Sequence, residues 1–165
     1  MTEFPGPGRG NEGAVTTPLS AASLLGRPVR LRGIRLGRPS DVLLDRTTMR
    51  VVGLEVACGD DARRFLPLAA AHVHDDEIAV RSALLLLEGD DLAFYRRRGR
   101  LLSAMRGSGV TLAGRPVGVL RDVLLDPDGV VTLLEVETRD GRVPARIKVP
   151  LDGTVAIAES PATAA

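Results

Sequence analysis

The 165-residue chain carries 22 Lys and Arg against 21 Asp and Glu, and this near balance supplies no global field toward nucleic acid or anionic lipid. With no Trp, one Tyr and three Phe, the core must come from Val, Leu, Ile and Ala, and platforms for stacking unpaired bases are nearly absent. A single cysteine, Cys58, excludes an intrachain disulfide and fits a reducing cytoplasm.

Residues 1–17 combine low hydrophobicity with many Gly and Pro, and read as a disordered tail without a secretory signal. The glycines Gly6, Gly8, Gly10 and Gly13 fall in this tail and precede no helix, so they are not a phosphate loop. Ser20 or Ser23 is placed to cap a short turn. Then comes Asp41-Val42-Leu43-Leu44-Asp45, a turn over Asp45–Thr48, and a strand of period two. In that strand Val52, Leu54, Val56 and Cys58 share one face, with Gly53, Glu55 and Ala57 on the other. Arg63–Leu68 reads as a third strand and Glu77–Val80 as a closing one. Residues 83–107 have helical character, acids first and arginines last, which matches the helix dipole. One helix or a broken pair of turns is expected there, weakened by Gly99. The runs Leu84–Leu87 and Phe94, Leu101, Leu102, Met105 are expected to bury the contact between two halves, with surplus apolar area available to a homodimer. The longest apolar run, Ala83–Leu87, is far too short for a bilayer, so a cytoplasmic chain without membrane insertion is expected.

After residue 107 the pattern repeats. Asp122-Val123-Leu124-Leu125-Asp126 restates the first pentapeptide, and Val110-x-Leu112-x-Gly114-x-x-x-Gly118 restates Val29-x-Leu31-x-Gly33-x-x-x-Gly37. The turn Asp126-Pro127-Asp128-Gly129 leads into Val131–Val136; Arg142–Leu151 and Thr154–Ile157 complete the second copy. Pro67-Leu68 finds a counterpart in Pro150-Leu151. The expected fold is all-β with a minor helical linker: two tandem small antiparallel β-barrels related by internal duplication. Their bounds are 18–82 and 108–160, with a linker over 83–107 and a tail over 161–165.

Four groups of side chains invite a chemical reading. His72 and His74 alternate beside Asp75, Asp76 and Glu77, the spacing of a divalent-metal corner, but two histidines fix no further ligand. A solvent-facing hairpin tip accounts for them better, and no metal or other cofactor is assigned. Arg96, Arg97, Arg98, Arg100 and Arg106 form the densest basic cluster, a phosphate-contacting patch in one reading. With a neutral chain and a single Lys, Lys148, a solvated helix face whose arginines pair with acids of the sheets is preferred. Cys58 has no identifiable base or oxyanion pocket and reads as an inert, largely buried thiol. Asp41, Asp45, Asp122 and Asp126, with Glu55 and Glu135, read as turn formers and solvated strand positions rather than acid–base pairs. No catalytic residue is identified, and an enzyme is not expected.

The order of Gly37 or Gly118, Asp-Val-Leu-Leu-Asp, a turn, an apolar strand and a Pro-Leu step before a short closing strand resembles the PRC-barrel family. That small β-barrel occurs in the cytoplasmic part of the photosynthetic reaction-centre H subunit and in the C-terminal half of the ribosome-maturation factor. The resemblance covers most of residues 27 to 158. It implies protein-interaction modules without catalytic residues, hence a non-enzymatic adaptor with an unspecified protein partner. The alternative is an RNA- or ribosome-associated factor acting through the Arg96–Arg106 cluster.

Overall fold

β-Branched and leucine residues at alternate positions, punctuated by Gly, Asp and Pro, dictate strands joined by tight turns. The computed structural model describes residues 17–141, 143–150 and 152–159, and it is mainly β, with 50% strand and 16% helix. The first repeat opens with β1 (Leu19–Ser20) and α1 (Ala21–Leu24). It continues through β2 (Val29–Leu31), β3 (Ile34–Asp45), β4 (Val51–Cys58), β5 (Arg63–Pro67), β6 (Ala71–Val73) and β7 (Ile78–Val80). After α2 (Asp90–Arg98), the second repeat opens with β8 (Gly99–Leu101) and α3 (Leu102–Met105). It then runs through β9 (Gly109–Leu112), β10 (Arg115–Leu125), β11 (Val131–Glu137), β12 (Ala145–Lys148) and β13 (Val155–Ile157). Of the tails expected over 1–17 and 161–165, all but Thr17 lie outside the described residues.

Two sheets result, ordered β5-β4-β3-β2-β7-β6 and β12-β11-β10-β9-β13. Three bulges recur at matching places in both: Leu36 and Val117, Ser40 and Arg121, Val52 and Thr132 are each the extra residue in their ladder. A bulge bends its strand and sharpens the twist, and three per repeat curl the long strands β3 and β10. The first sheet becomes a half-barrel of mixed direction. Its closing strand β7 runs parallel to β2, whereas β13 runs antiparallel to β9, so the antiparallel expectation fails in the first repeat. The cause is the additional β6–β7 hairpin, which turns the chain once more before it closes. The sheet register also sets Leu66 and Ile147 in equivalent places, opposite Leu54 and Leu134. Pro67 therefore answers Lys148, and the two Pro-Leu steps do not coincide.

The opening segment of each repeat crosses to the other sheet. β1 pairs with β10, Leu19 against Leu125, and β8 pairs with β3, Arg100 against Leu44. The short helices that follow dock the same way: Ala22 N–H donates to Asp122 Oδ1 (3.1 Å) and Ser103 N–H to Asp41 Oδ1 (3.1 Å). Ser20 caps α1 and donates its hydroxyl to Asp122, as Ser103 does to Asp41. The segment expected to be helical is thus a helix, a strand and a second short helix. Gly99 lies in the strand, where a Cβ would stand 2.7 Å from Leu43 Cγ and 2.9 Å from the Leu44 carbonyl oxygen. It is needed for close approach to β3, which the sequence does not reveal.

One core serves both repeats. Leu24, Val42, Leu54, Val56 and Leu66 pack in a single cluster with Leu102, Met105, Val123, Leu134 and Val136. A second, smaller cluster lies under α2, built from Leu43, Phe65 and Leu92 with Val52, Leu87, Tyr95 and Leu101 around them. Burying a side chain the size of Phe65 contributes about 1.5–3 kcal/mol, so α2 is a substantial part of this face. The bulge moves Val52 to this outer cluster and gives its place in the main core to Val51, which corrects the expected strand face. Leu102 and Met105 bury as expected, but Leu84 is 87% exposed and Phe94 44%.

Candidate functional site

The two hairpin turns that follow β3 and β10 meet across the middle of the molecule. Val51 N–H donates to the Gly129 carbonyl (2.8 Å) and Val131 N–H to that of Met49 (3.0 Å), with Arg50 opposite Val130. Beside this junction lies a half-open groove of about 680 Å³ that neither repeat forms alone. The β6 side contributes His72, His74 and Asp75; the turn after β10 contributes Asp126 and Pro127, and β11 contributes Thr132. Leu19 and Leu125, paired on the β1–β10 ladder, supply apolar lining together with Leu68. Arg27 fixes one wall by donating to the His74 carbonyl (2.7 Å) and to Ser23 Oγ (3.3 Å).

A smaller pocket of about 260 Å³ opens at the far end of α2, between Phe94, Tyr95 and Arg98 of the helix and Asp45, Val52 and Gly99. Tyr95 stacks on Phe65 with ring centroids 4.1 Å apart, and the Arg98 guanidinium stands 5.2 Å from the centre of the Phe94 ring.

Both histidines are exposed and line the groove. Among the described residues, no three His, Cys, Asp or Glu side chains are grouped to hold a metal ion. The arginine cluster is mostly committed elsewhere. Arg96 is paired with Glu55, and Arg106 Nε donates to the Arg121 carbonyl (2.9 Å). Arg100 donates to the carbonyls of Ile157 (3.5 Å) and Ala158 (3.1 Å), and Arg98 lies over Phe94. Arg97 is exposed. Cys58 is half-buried on the edge of the main core, with Sγ 3.9 Å from the Val56 carbonyl oxygen.

The acids divide into two kinds, which their shared sequence context conceals. Asp45 and Asp126 are turn formers as expected: Asp45 Oδ1 accepts from Thr47 N–H (2.8 Å) and Thr48 N–H (3.0 Å), and Asp126 Oδ1 from Asp128 and Val130 N–H (both 2.9 Å). Asp41, Asp122 and Glu55 are not solvated strand positions; each is buried. Glu55 accepts from Arg96 Nε and has Arg63 Nη1 at 3.5 Å, and that hydrogen bond raises the Arg96 pKa further above its ordinary value. Glu135, the second-repeat counterpart, keeps 29% side-chain exposure with Arg146 Nε at 3.8 Å. The only sequence signal for the exchange was faint: Ala21 and Leu24 share the spacing of Leu102 and Met105 ahead of the repeated Val-x-Leu.

The Thr47 hydroxyl and the Thr47 and Thr48 amides hold the Asp45 carboxyl down at about 2, from an ordinary 3.8. A depressed folded-state pKa contributes stability that is present above the unfolded value and lost as pH falls through the folded one. The stability difference between wild type and Asp45→Ala is therefore expected to be full at neutral pH and to close between about pH 4 and pH 2, read by urea unfolding across that range.

No protein-family model matches the chain, and no curated protein matches it. Among the described residues no helix is long and apolar enough to cross a membrane.

Proposed function

We propose that the protein is a non-enzymatic interaction module of the cytoplasm, built from two PRC-like barrels and offering the groove between the repeats to a protein partner. The observation that carries this reading is the composite nature of the groove. Its β6 side belongs to the first repeat, its β10–β11 side to the second, and Leu19 comes from the exchanged β1. Sites of recognition favour such concave, mostly apolar junctions with a few convergent polar groups. The buried carboxylates support it in another way: Asp41, Asp122 and Glu55 are tied to Ser103, Ser20 and Arg96, which gives them structural work. RNA association through Arg96, Arg97, Arg98 and Arg100 is the second reading, and the engagement of Arg96 and Arg100 within the fold speaks against it.

Affinity purification of the intact protein from its native cells, with and without nuclease, tests both readings by mass spectrometry of what is retained. A defined protein that survives nuclease and is lost with Thr132→Arg is the expected result. Ribosomal proteins that disappear on nuclease treatment would transfer the function to the arginines, and no retained protein would overturn the module.

A further inference from the structure

Four arginines stand on one side of the first sheet. Val29 and Gly37 are paired and turned to the core, where a Cβ on Gly37 would lie 2.8 Å from Val56 Cγ1. Alternation therefore puts their chain neighbours, Arg30 on β2 and Arg38 on β3, on the outer side. Arg35 lies directly opposite Arg30, and Arg38 opposite Ala57, which in turn faces Arg63 on β5. The run from Arg30 through Arg35 and Arg38 to Arg63 crosses four adjacent strands, about 14 Å at three strand spacings. Arg35 and Arg38 are exposed and have no ion-pair partner among the described residues. Arg30 holds Glu77 at 3.5 Å, and Arg63 Nη1 stands 3.5 Å from Glu55 yet keeps 60% of its side chain exposed. None of the four lines the groove between the repeats.

The duplicated fold does not require these charges. Sheet register matches Arg30, Arg35, Arg38 and Arg63 to Thr111, Pro116, Val119 and Pro144 of the second repeat, with Glu137 in place of Ala57. Like charges set directly across an antiparallel pair work against the sheet, so Arg30 opposite Arg35 opposes a pairing that Thr111 and Pro116 make without charge. We infer that this face receives a short acidic segment of a partner protein, a use beyond the groove and independent of it. Guanidinium groups take carboxylates by paired, charge-assisted hydrogen bonds, and the borders of the face select the partner. Glu77 closes it beside β2, and the exposed Asp60 and Asp61 close it at the turn after β4, where Asp60 holds Arg64 (2.6 Å). A nucleic-acid duplex carries a charge every ~1.7 Å of its axis and would run past the face onto these carboxylates. About four or five residues of extended chain end with it. Single strands need exposed rings for their bases, and the ring nearest along β5, Phe65, is fully buried.

The probe is hexaglutamate, capped at both ends, titrated into the isotope-labelled full-length protein and followed by amide NMR. Saturable shifts at Arg35, Arg38, Ala57 and Arg63 are expected, and raising the salt from about 50 to 200 mM should weaken binding severalfold. Arg35→Glu should weaken it about tenfold or more while the urea midpoint stays level or rises, because the new carboxylate stands opposite Arg30. Arg38→Val, which installs the residue found at the matching place in the second repeat, should also weaken binding with the midpoint held. Arg115→Glu, an exposed position of the second repeat, should leave binding within about twofold. A lowered midpoint for Arg35→Glu and Arg38→Val would make these arginines structural and overturn the site. No saturable shift up to about 1 mM peptide overturns it too, as do equal shifts at Arg97, Arg115 and Arg139. A short DNA duplex that binds this face more tightly than the peptide at about 150 mM salt assigns it to nucleic acid and overturns the acidic protein partner. The groove stands or falls separately, on Thr132→Arg.

Discussion

Asp122→Ala is expected to lower the free energy of unfolding by about 2–3 kcal/mol, because one buried carboxylate there satisfies three donors and each donor left unpaired is costly. Asp122 Oδ1 accepts from Ala22 N–H (3.1 Å) and Val123 N–H (2.8 Å), while Oδ2 takes the Ser20 hydroxyl. Asp41→Ala removes the mirror arrangement with Ser103 and Val42 and should cost a similar amount. The position is only 7% exposed in both repeats, so water cannot readily replace the lost acceptor. Asp122→Asn keeps an acceptor for the amides, and Ser20 can rotate to accept from the new NH₂, so a smaller loss is expected. Pairing Asp122→Ala with Ser20→Ala should cost less than the sum of the two, since the second change removes a donor the first had orphaned. Urea unfolding measures all of these. A loss under about 0.5 kcal/mol for Asp122→Ala would place it among ordinary surface changes and sink the argument. Because the two repeats share one core and exchange their opening strands, the transition should be single, with either substitution destabilising both repeats together.

Arg96→Met has the second large effect, and its sign depends on what remains. Glu55 is 1% exposed, and removing Arg96 leaves its carboxylate with Arg63 at 3.5 Å. Breaking a fully buried pair costs about 3–5 kcal/mol; Arg96 is itself 43% exposed, and solvent screening brings the expected loss to about 2 kcal/mol. Replacing both partners, Glu55→Leu with Arg96→Met, leaves no buried charge and should recover most of that loss. The measurement is the double-mutant cycle by urea unfolding, and a double variant as unstable as Arg96→Met would show that packing of α2, rather than the unpaired charge, was lost.

How much of this was legible in the sequence differs by element. Period-two patterning over Val51–Cys58 and Val131–Glu137 located the strands, and Asp-Pro-Asp-Gly located the tight turn, because these depend on residues close along the chain. The duplicated pentapeptide correctly announced two related halves, yet it hid a difference within itself. Its first aspartate, Asp41 or Asp122, is a buried receptor for a crossing segment; its last, Asp45 or Asp126, is a half-buried turn cap. Local sequence is identical for the two copies and says nothing of a partner 62 residues away for Asp41 and 100 or 102 residues away for Asp122. The histidines of the groove were legible as a pair, but their neighbours Leu19, Leu125, Asp126 and Thr132 were not, since no spacing rule joins them.

Short-range physics, legible along the chain, controls the strands β4 and β11, the turn chemistry, the duplication, an aliphatic core and a mainly β chain. The tertiary structure alone decided the rest. It set the parallel β2–β7 pairing, the exchange of β1 and β8 between sheets, the burial of Glu55 beside α2 and the groove lined by both repeats. Each of these joins residues far apart in the chain. Their pairing is fixed by which arrangement buries the shared apolar surface and satisfies the carboxylates, a property of the whole packed molecule rather than of any segment.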